Sequence, residues 1–388
     1  MRVLMLVATS VATDTRVLRE ASSLAGIGHS VHIVGKSVPA GFAPGPGVTV
    51  SSVGSSSVFR REARDDSPTR LSWPARFARW LLLPQHRNSS FSRWADGAYR
   101  DAAQRPFDVV HAHDFTALGV GARLAEERGV PLVYDSHELW SGVPREYRPT
   151  PLQDRRERRQ EAEWGGRAAA VITVGPGVAE ELTRQYGWTD IAVVRNTFPL
   201  RPDSELPDLP ARPRGAVYAG RVGAYRELEV VAAASRDTDL PITIVGPGDE
   251  TWLATFDSGR ATVRPALPLD DVSREIAAAG LALVTHSDKW PNHRLAMPNK
   301  LFHAVSLGVP VVATDVGQLG ALVREHRLGV LYRPGDAASL TAALRTAVDG
   351  YPALVDQVRR ARPRLSWPED EAVLRSVYAT LMTDHRTA

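Results

Sequence analysis

The sequence predicts an α/β protein made of two doubly wound parallel-sheet halves joined in tandem. Three observations predict it. A chain of 388 residues exceeds what one ordinary core accommodates, so two domains are expected. Short apolar runs alternate with amphipathic helical stretches along both halves, the βαβα pattern of parallel sheets. Between the two series lies Thr197–Gly215, rich in proline, charged and without a hydrophobic period, which reads as a linker. The expected units are therefore residues 1–196, the linker 197–215, residues 216–365 and a tail at 366–388. Ligand binding is expected in the cleft between the halves.

Composition narrows the class. With 43% hydrophobic and 23% charged residues the chain is globular. It has no cysteine, which removes a disulfide frame and Cys-ligated metal and fits a cytoplasmic protein, placed at most at the inner face of the membrane. The opening MRVLMLVATS lacks a small-residue cleavage site and runs into an amphipathic helix, so it reads as a first core strand. No apolar run approaches the ~20 residues a membrane span requires. A formal net charge of +3 favours acidic partners, and no nucleic-acid partner is expected.

In the first half, Arg2–Val7 is a buried strand, and Val17, Leu18, Ala21 and Leu24 form the inward face of the next helix. Gly26, Gly28 and His29 end that helix, and Val31–Val34 is the second strand. The intervening loop Ala8–Thr15 lies where such sheets hold ligands, with Asp14 and Arg16 placed to cap the helix. Pro39–Asp66 reads as loop with one strand near Val48–Val50. Arg70–Arg100 is basic, with Trp73, Phe77, Trp80 and Leu81 on one helical face. It is either an inserted helix packed on this half or an interfacial helix making peripheral contact with anionic lipid. Phe107–His111 is a strand leading to His113 and Asp114. A metal at His111-x-His113-Asp114 is set aside on the expectation that the two rings face opposite sides of the strand. Pro131–Tyr134 is a strand delivering Asp135, Ser136, His137 and Glu138. Leu152–Trp164 reads as a solvated charged helix, followed by strand Ala169–Val174, helix Ala179–Tyr186 and strand Ile191–Arg195 ending at Asn196.

The second half repeats the pattern. Ala216–Tyr218 is a strand with the exit Ala219-Gly220-Arg221, then come helix Leu228–Ala234, strand Ile242–Val245 and the turn at Gly246. Thr262–Arg264, Val272–Ala279 and Leu281–Thr285 are strand, helix and strand. In MPNKLFHAVSLGVPVVATDVG (297–317), Pro298 suits a first helical turn and Leu301, Ala304, Val305 and Gly308 recur on one buried face. Asn299, Lys300 and His303 occupy the other face, and the helix N-terminus offers free N–H groups to a phosphate. Val311–Ala313 and Gly329–Tyr332 are strands, Ala337–Val348 is a helix, and the tail from Trp367 is helical.

These stretches resemble the retaining, nucleotide-sugar-dependent glycosyltransferases of the GT4 group. Members often read P-x-K-x-F-E-x-x-x-x-G-x-P-V-V where this chain has PNKLFHAVSLGVPVV, and G-R-x-x-x-x-K-G where it has GRVGAYRE. YDSHEL, VITVGPGVAEEL…VVRN and DTRVLREA extend the similarity over nearly the whole chain. The resemblance implies a GT-B fold, two Rossmann-like domains facing across a cleft, with the last helix crossing back to the first. It implies transfer of a sugar, with retention, from a UDP-, GDP- or dTDP-sugar (UDP above all) to an acceptor hydroxyl. Arg221 and Arg226 would clamp the diphosphate and His137 would face the transferred sugar. Gly220, Gly246, Met297, Pro298, Asn299, Lys300, Leu301 and His303 would hold the donor. Thr13, Asp14, Arg16, His113 and Asp114 would meet the acceptor, whether glycan, lipid-linked sugar or small molecule. No metal or other cofactor is expected, because two guanidinium groups and a helix tip replace Mg²⁺ at the diphosphate; Asp237-x-Asp239 reads as a turn. Two departures stand out: His303 replaces the glutamate of the motif, and Leu295 stands at the earlier glutamate position. A nucleotide-sugar epimerase on the same fold, or a binding subunit without turnover, are the alternatives.

Overall fold

The computed structural model describes residues 1–54, 93–143 and 151–387. The first half is a parallel sheet of seven strands: β1 (Arg2–Ser10), β2 (Ser30–Lys36), β3 (Val48–Ser52), β4 (Val109–His113), β5 (Leu132–Ser136), β6 (Ala170–Thr173) and β7 (Ala192–Val193), in the order β3-β2-β1-β4-β5-β6-β7. Its helices are α1 (Thr15–Gly26), α2 (residues 93–103), α3 (Asp114–Arg128), α4 (Pro151–Gly165) and α5 (Pro176–Tyr186). The second half is a six-stranded parallel sheet: β8 (Gly215–Ala219), β9 (Ile242–Val245), β10 (Thr262–Arg264), β11 (Gly280–Val284), β12 (Val311–Thr314) and β13 (Gly329–Tyr332), ordered β10-β9-β8-β11-β12-β13. Its helices are α6 (Leu228–Ala234), α7 (Glu250–Leu253), α8 (Leu269–Ala279), α9 (Pro291–Leu295), α10 (Asn299–Ser306), α11 (Gly317–His326), α12 (Ala337–Asp349) and α13 (Tyr351–Ala361). Strand order reverses beside β1 in one sheet and beside β8 in the other. There the crossover helices leave on opposite faces and a crevice opens at the carboxyl ends of the strands.

Both sheets are apolar on each face. Val3, Met5, Val7, Ile33 and Val109 pack toward α1, whereas Leu4, Leu6, Val110 and Ala112 pack toward α3. The strands run further than the apolar runs suggest, because parallel pairing continues through polar residues. Val7 pairs with His113, His113 with Asp135, and Ser136 with Thr173. His113, Asp135 and Ser136 are therefore fully buried members of the ladder rather than residues of the loops beyond it.

The last helix, α14 (Trp367–Thr387), packs on the first sheet: Trp367, Leu374, Tyr378 and Leu381 share a core with β1 and β2. Asp370 accepts from the Arg195 N–H at 2.9 Å and from Thr197 Oγ1 at 2.6 Å, and Trp367 Nε1 donates to Ser23 Oγ at 2.9 Å. Of the basic aromatic stretch Arg70–Arg100, residues 70–92 lie outside the described residues. Over 93–103 the chain is helical, and Trp94 is completely buried in the core around α3. Among the described residues no helix is long and apolar enough to cross a membrane.

Candidate functional site

In the crevice of the first sheet, the loop after β1 folds onto its own polar side chains. Asp14 caps α1, accepting from the Val17 N–H at 3.2 Å, and also receives Thr9 Oγ1 at 2.8 Å. Thr13, Asp14, Arg16, His137 and Asn196 line an open cavity of about 310 Å³, to which Asn299 of the second half also contributes. One candidate donor residue and four candidate catalytic or acceptor residues thus face one space.

Arg16 is neither a cap nor a free acceptor ligand. Its side chain is 3% exposed and bidentate to Asp135, Nε to Oδ2 at 2.8 Å and Nη2 to Oδ1 at 2.7 Å. Burial works against a charged guanidinium, yet Asp135 and Glu20 raise its pKa above the ordinary value. Asp135 shows the converse: burial alone would raise it, but Arg16 and His137 hold it well below the usual carboxylate range. His113 is also displaced from the acceptor set. Fully buried, its Nδ1 sits 3.2 Å from Asp135 Oδ2, behind His137. Asp114 opens α3 at a left-handed φ of 62° and accepts from the His137 N–H at 3.1 Å, so it positions His137. The expectation about His111 and His113 is overturned by strand periodicity itself, since residues two apart share a face. Their rings stack at 4.2 Å.

His137 reaches the cavity, but both ring nitrogens are taken: Nε2 lies 3.1 Å from Asp135 Oδ2 and Nδ1 lies 3.3 Å from Asp114 Oδ2. Burial lowers its pKa, but the two carboxylates outweigh that and raise it to about 9. At neutral pH the ring is an imidazolium with both N–H groups committed.

In the second sheet the loops after β8 and β9 touch through glycines. Gly246 has φ +155°, and a Cβ there would meet the Gly220 carbonyl oxygen at 1.8 Å. Its role is close packing, with no room for a side chain. Gly246→Ala is expected to cost at least about 1–3 kcal/mol through backbone strain and separation of the two loops, read as a lower denaturant midpoint. A Cβ at Gly220 would lie 3.3 Å from Lys300 Nζ, so Gly220 keeps open the space that the Lys300 side chain fills. Lys300 packs on the Tyr218 ring at 4.4 Å, with Nζ 3.2 Å from its hydroxyl. Burial and the nearby Arg226 lower its pKa to about 7. The same two cations, after burial, hold His286 neutral, its pKa lowered to about 2. Arg226, Lys300 and His286 therefore form one group. Among the described residues neither Arg226 nor Lys300 has a salt-bridge partner. Arg221 is exposed, its carbonyl accepting from Tyr218 OH at 2.8 Å. Glu227, standing where the resembled motif has glycine, adopts φ 59°, and its carboxylate accepts from the Gly335 N–H at 2.6 Å, offsetting the strain.

The 297–303 stretch divides differently from the sequence expectation. Pro298 is the N-cap, with ψ 139°, not a residue of the first turn. Leu301 is wholly buried and its N–H is bonded to the Pro298 carbonyl, so it offers nothing to a donor. Met297 is packed into the core, its methyl group against Gly175 of the first half. Among the described residues nothing caps the N–H groups of Asn299 and Lys300. His303 is 7% exposed, stacked on Phe198 at 4.9 Å, with Nε2 2.8 Å from Ser273 Oγ. Burial, then Arg201, lower its pKa to about 4. It is a neutral packing histidine under the linker. Leu295 packs toward Leu139, Val178 and Leu182 of the first half.

Sequence reasoning missed Asp135, Glu20, His286 and Asn292. Asn292 crosses the cleft, donating from Nδ2 to the Leu139 carbonyl at 3.0 Å and to Glu138 Oε2 at 3.2 Å. Period-2 alternation along β4 and β5 would have found the first cluster. Nothing local in the sequence points to the crossing contact.

Comparison with known proteins accords with this architecture. Residues 12–197 match the family described as "Glycosyl transferase 4-like domain", and residues 216–349 match "Glycosyl transferases group 1". Among curated relatives, a glycogen synthase of Mycobacterium tuberculosis is 27% identical over 69% of this chain and 66% of its own length. A D-inositol 3-phosphate glycosyltransferase of Catenulispora acidiphila is 30% identical over 63% of this chain and 64% of its own. The chain thus spans just under two thirds of the length of these relatives. Among solved structures, sucrose-phosphate synthase of Thermosynechococcus elongatus matches with a TM-score of 0.72 at 16% identity, covering 99% of this chain and 100% of that one. Anabaena HepE in complex with UDP matches at 0.65 and 16%, with the same coverage; at such identities the likeness establishes the GT-B fold alone. The chain belongs to the group 1, GT4-type glycosyltransferases.

Proposed function

We propose that the protein transfers a sugar from a nucleoside-diphosphate sugar, a UDP-sugar foremost, to a hydroxyl of an acceptor held by the first half, with retention of configuration. The observation that carries this reading is the pair of cations Arg226 and Lys300, without a salt-bridge partner among the described residues, beside the N-terminus of α10 and the glycine-lined loops at 220 and 246. Leaving-group departure develops negative charge on the β-phosphate, and fixed cations and N–H dipoles there stabilise it without a metal ion. Arg221, exposed at the same loop, extends the clamp outward. The transferred sugar then lies toward Asn299 and His137, and the acceptor enters over Thr13 and Asp14. With both nitrogens tied to carboxylates, His137 acts through its charge and shape, not as a hydrogen-bond donor. The relative's UDP complex supports the choice of nucleotide.

Arg226→Ala is expected to cut the rate of nucleotide release from the donor by about 10²–10³, the scale for losing one such stabiliser. Nucleotide release at the wild-type rate from that variant would remove the clamp. A second reading, donor binding without turnover, is favoured by one observation: of the two positions where the resembled motif carries glutamate, one holds the partly buried apolar Leu295 and the other the buried, neutral His303. Binding of UDP-sugars with no release of UDP from the wild-type protein, with or without acceptor, would establish that reading instead.

A further inference from the structure

We propose that the buried cluster behind His137 is a metal site in which Glu20, His111 and His113 bind one divalent ion of the zinc type. Glu20 of α1 faces β4, and ligand-type atoms of Glu20, His111, His113 and Asp135 all lie within 4.8 Å of one another. All four side chains are completely buried. Four of their polar atoms have no hydrogen-bond partner: both carboxylate oxygens of Glu20 and Nε2 of each histidine. Glu20 Oε1 is 3.1 Å from Arg16 Nε, but that N–H is aimed at Asp135, so the proximity satisfies neither oxygen. Orphaned buried polar atoms are costly, and four on three neighbouring side chains call for a shared partner.

The second layer of contacts prepares the histidines as ligands. His113 Nδ1 is 3.2 Å from Asp135 Oδ2, so it donates there and leaves a lone pair on Nε2, the carboxylate–histidine arrangement of metal sites. His111 Nδ1 is paired at 2.9 Å with Tyr378 OH of the returning helix α14. The rings stack on one face of β4, and His111 Nε2 lies 3.9 Å from Glu20 Oε2. Both Asp135 oxygens are engaged by Arg16, so Asp135 serves as an outer partner and three ligands remain. Two imidazoles and a carboxylate suit zinc rather than Mg²⁺. Three carboxylates, Glu20, Asp114 and Asp135, face two cations, Arg16 and the His137 imidazolium, so one negative charge is left uncompensated for a bound cation to meet. Ligand bonds near 2.1 Å require ligand atoms within about 4.2 Å of each other, so binding draws the groups slightly together. The ion would be structural, tying α1, β4 and α14, and remote from the diphosphate.

The test uses the full chain, stripped with chelator, loaded with Zn²⁺ alone and desalted. Wild type is expected to retain one equivalent by atomic emission and to melt at higher temperature than the stripped protein. Glu20→Gln, which keeps shape, is expected to lose that equivalent. Tyr378→Phe is expected to weaken Zn²⁺ binding by about 10–100-fold, the range for an outer-shell partner. Retention of the same zinc by wild type and both variants means surface binding and overturns the site, as does retention of none by wild type. Should Glu20→Gln fail to fold, Co²⁺ substitution decides. A visible spectrum of four-coordinate nitrogen and oxygen ligation supports the site, and its absence from wild type overturns it.

Discussion

Replacing Arg16 by methionine is expected to lower the free energy of unfolding by about 3–5 kcal/mol, the scale for removing one partner of a buried ion pair. The substitution leaves Asp135, with no exposure to solvent, facing Glu20 without the guanidinium that spans them. It also frees the Val194 carbonyl, which accepts from Arg16 Nη1 at 2.6 Å and ties α1 to the segment just after β7. Denaturant midpoints measured at neutral pH check the value; a loss under about 1 kcal/mol would mean that the His137 imidazolium, 3.1 Å from Asp135, suffices alone. The pH dependence has a definite sign. Asp135 is held well below its ordinary pKa, so its stabilisation is complete above the unfolded value of about 3.9 and is lost as pH falls through the lower folded value. His137, raised to about 9, contributes fully below the unfolded value of about 6.5, and that contribution is lost as pH rises through 9. With both terms present, stability is expected to decline at each extreme. In the methionine variant the acid-side decline should begin at higher pH.

Lys300→Met is expected to reduce turnover by about 10²–10³, because it removes a cation already desolvated beside Arg226. Lysine binds phosphate only when protonated. With a pKa lowered to about 7 in the empty site, kcat/KM for the donor should fall as pH rises above neutrality. Once the diphosphate is bound, its negative charge favours the ammonium, so kcat should hold to higher pH than kcat/KM. Lys300→Arg supplies a cation that does not titrate in this range and should abolish the alkaline fall in kcat/KM, whatever its effect on the absolute rate. A wild-type profile that stays flat through pH 9 would remove Lys300 from diphosphate binding.

The two predictions rest on parts of the molecule that were unequally legible. Apolar runs and helical periods along the chain sufficed to read two parallel-sheet halves, because a strand buried on both faces writes itself as a continuous run of Val, Leu and Ile. Short-range chemistry was likewise open to reading. The cap at Asp14 and the cation at position 226 depend on residues close in sequence. Strand ends were misjudged where His113, Asp135 and Ser136 continue the ladder, since polar residues break an apolar run without breaking parallel pairing.

Read along the chain, residues 1–388 disclose the order of elements and the residue types available at each strand end. Which of them meet is settled by folding. Arg16 and Asp135 are 119 positions apart, as their hydrogen bond records, and Lys300 and Tyr218 are 82 apart. No local pattern encodes such pairs, because charge pairing and desolvation depend on distance in space, and that distance is set by the packing of whole sheets. The same cause turned Arg16 from a candidate ligand into a buried strut and moved His303 into the interior beneath Phe198.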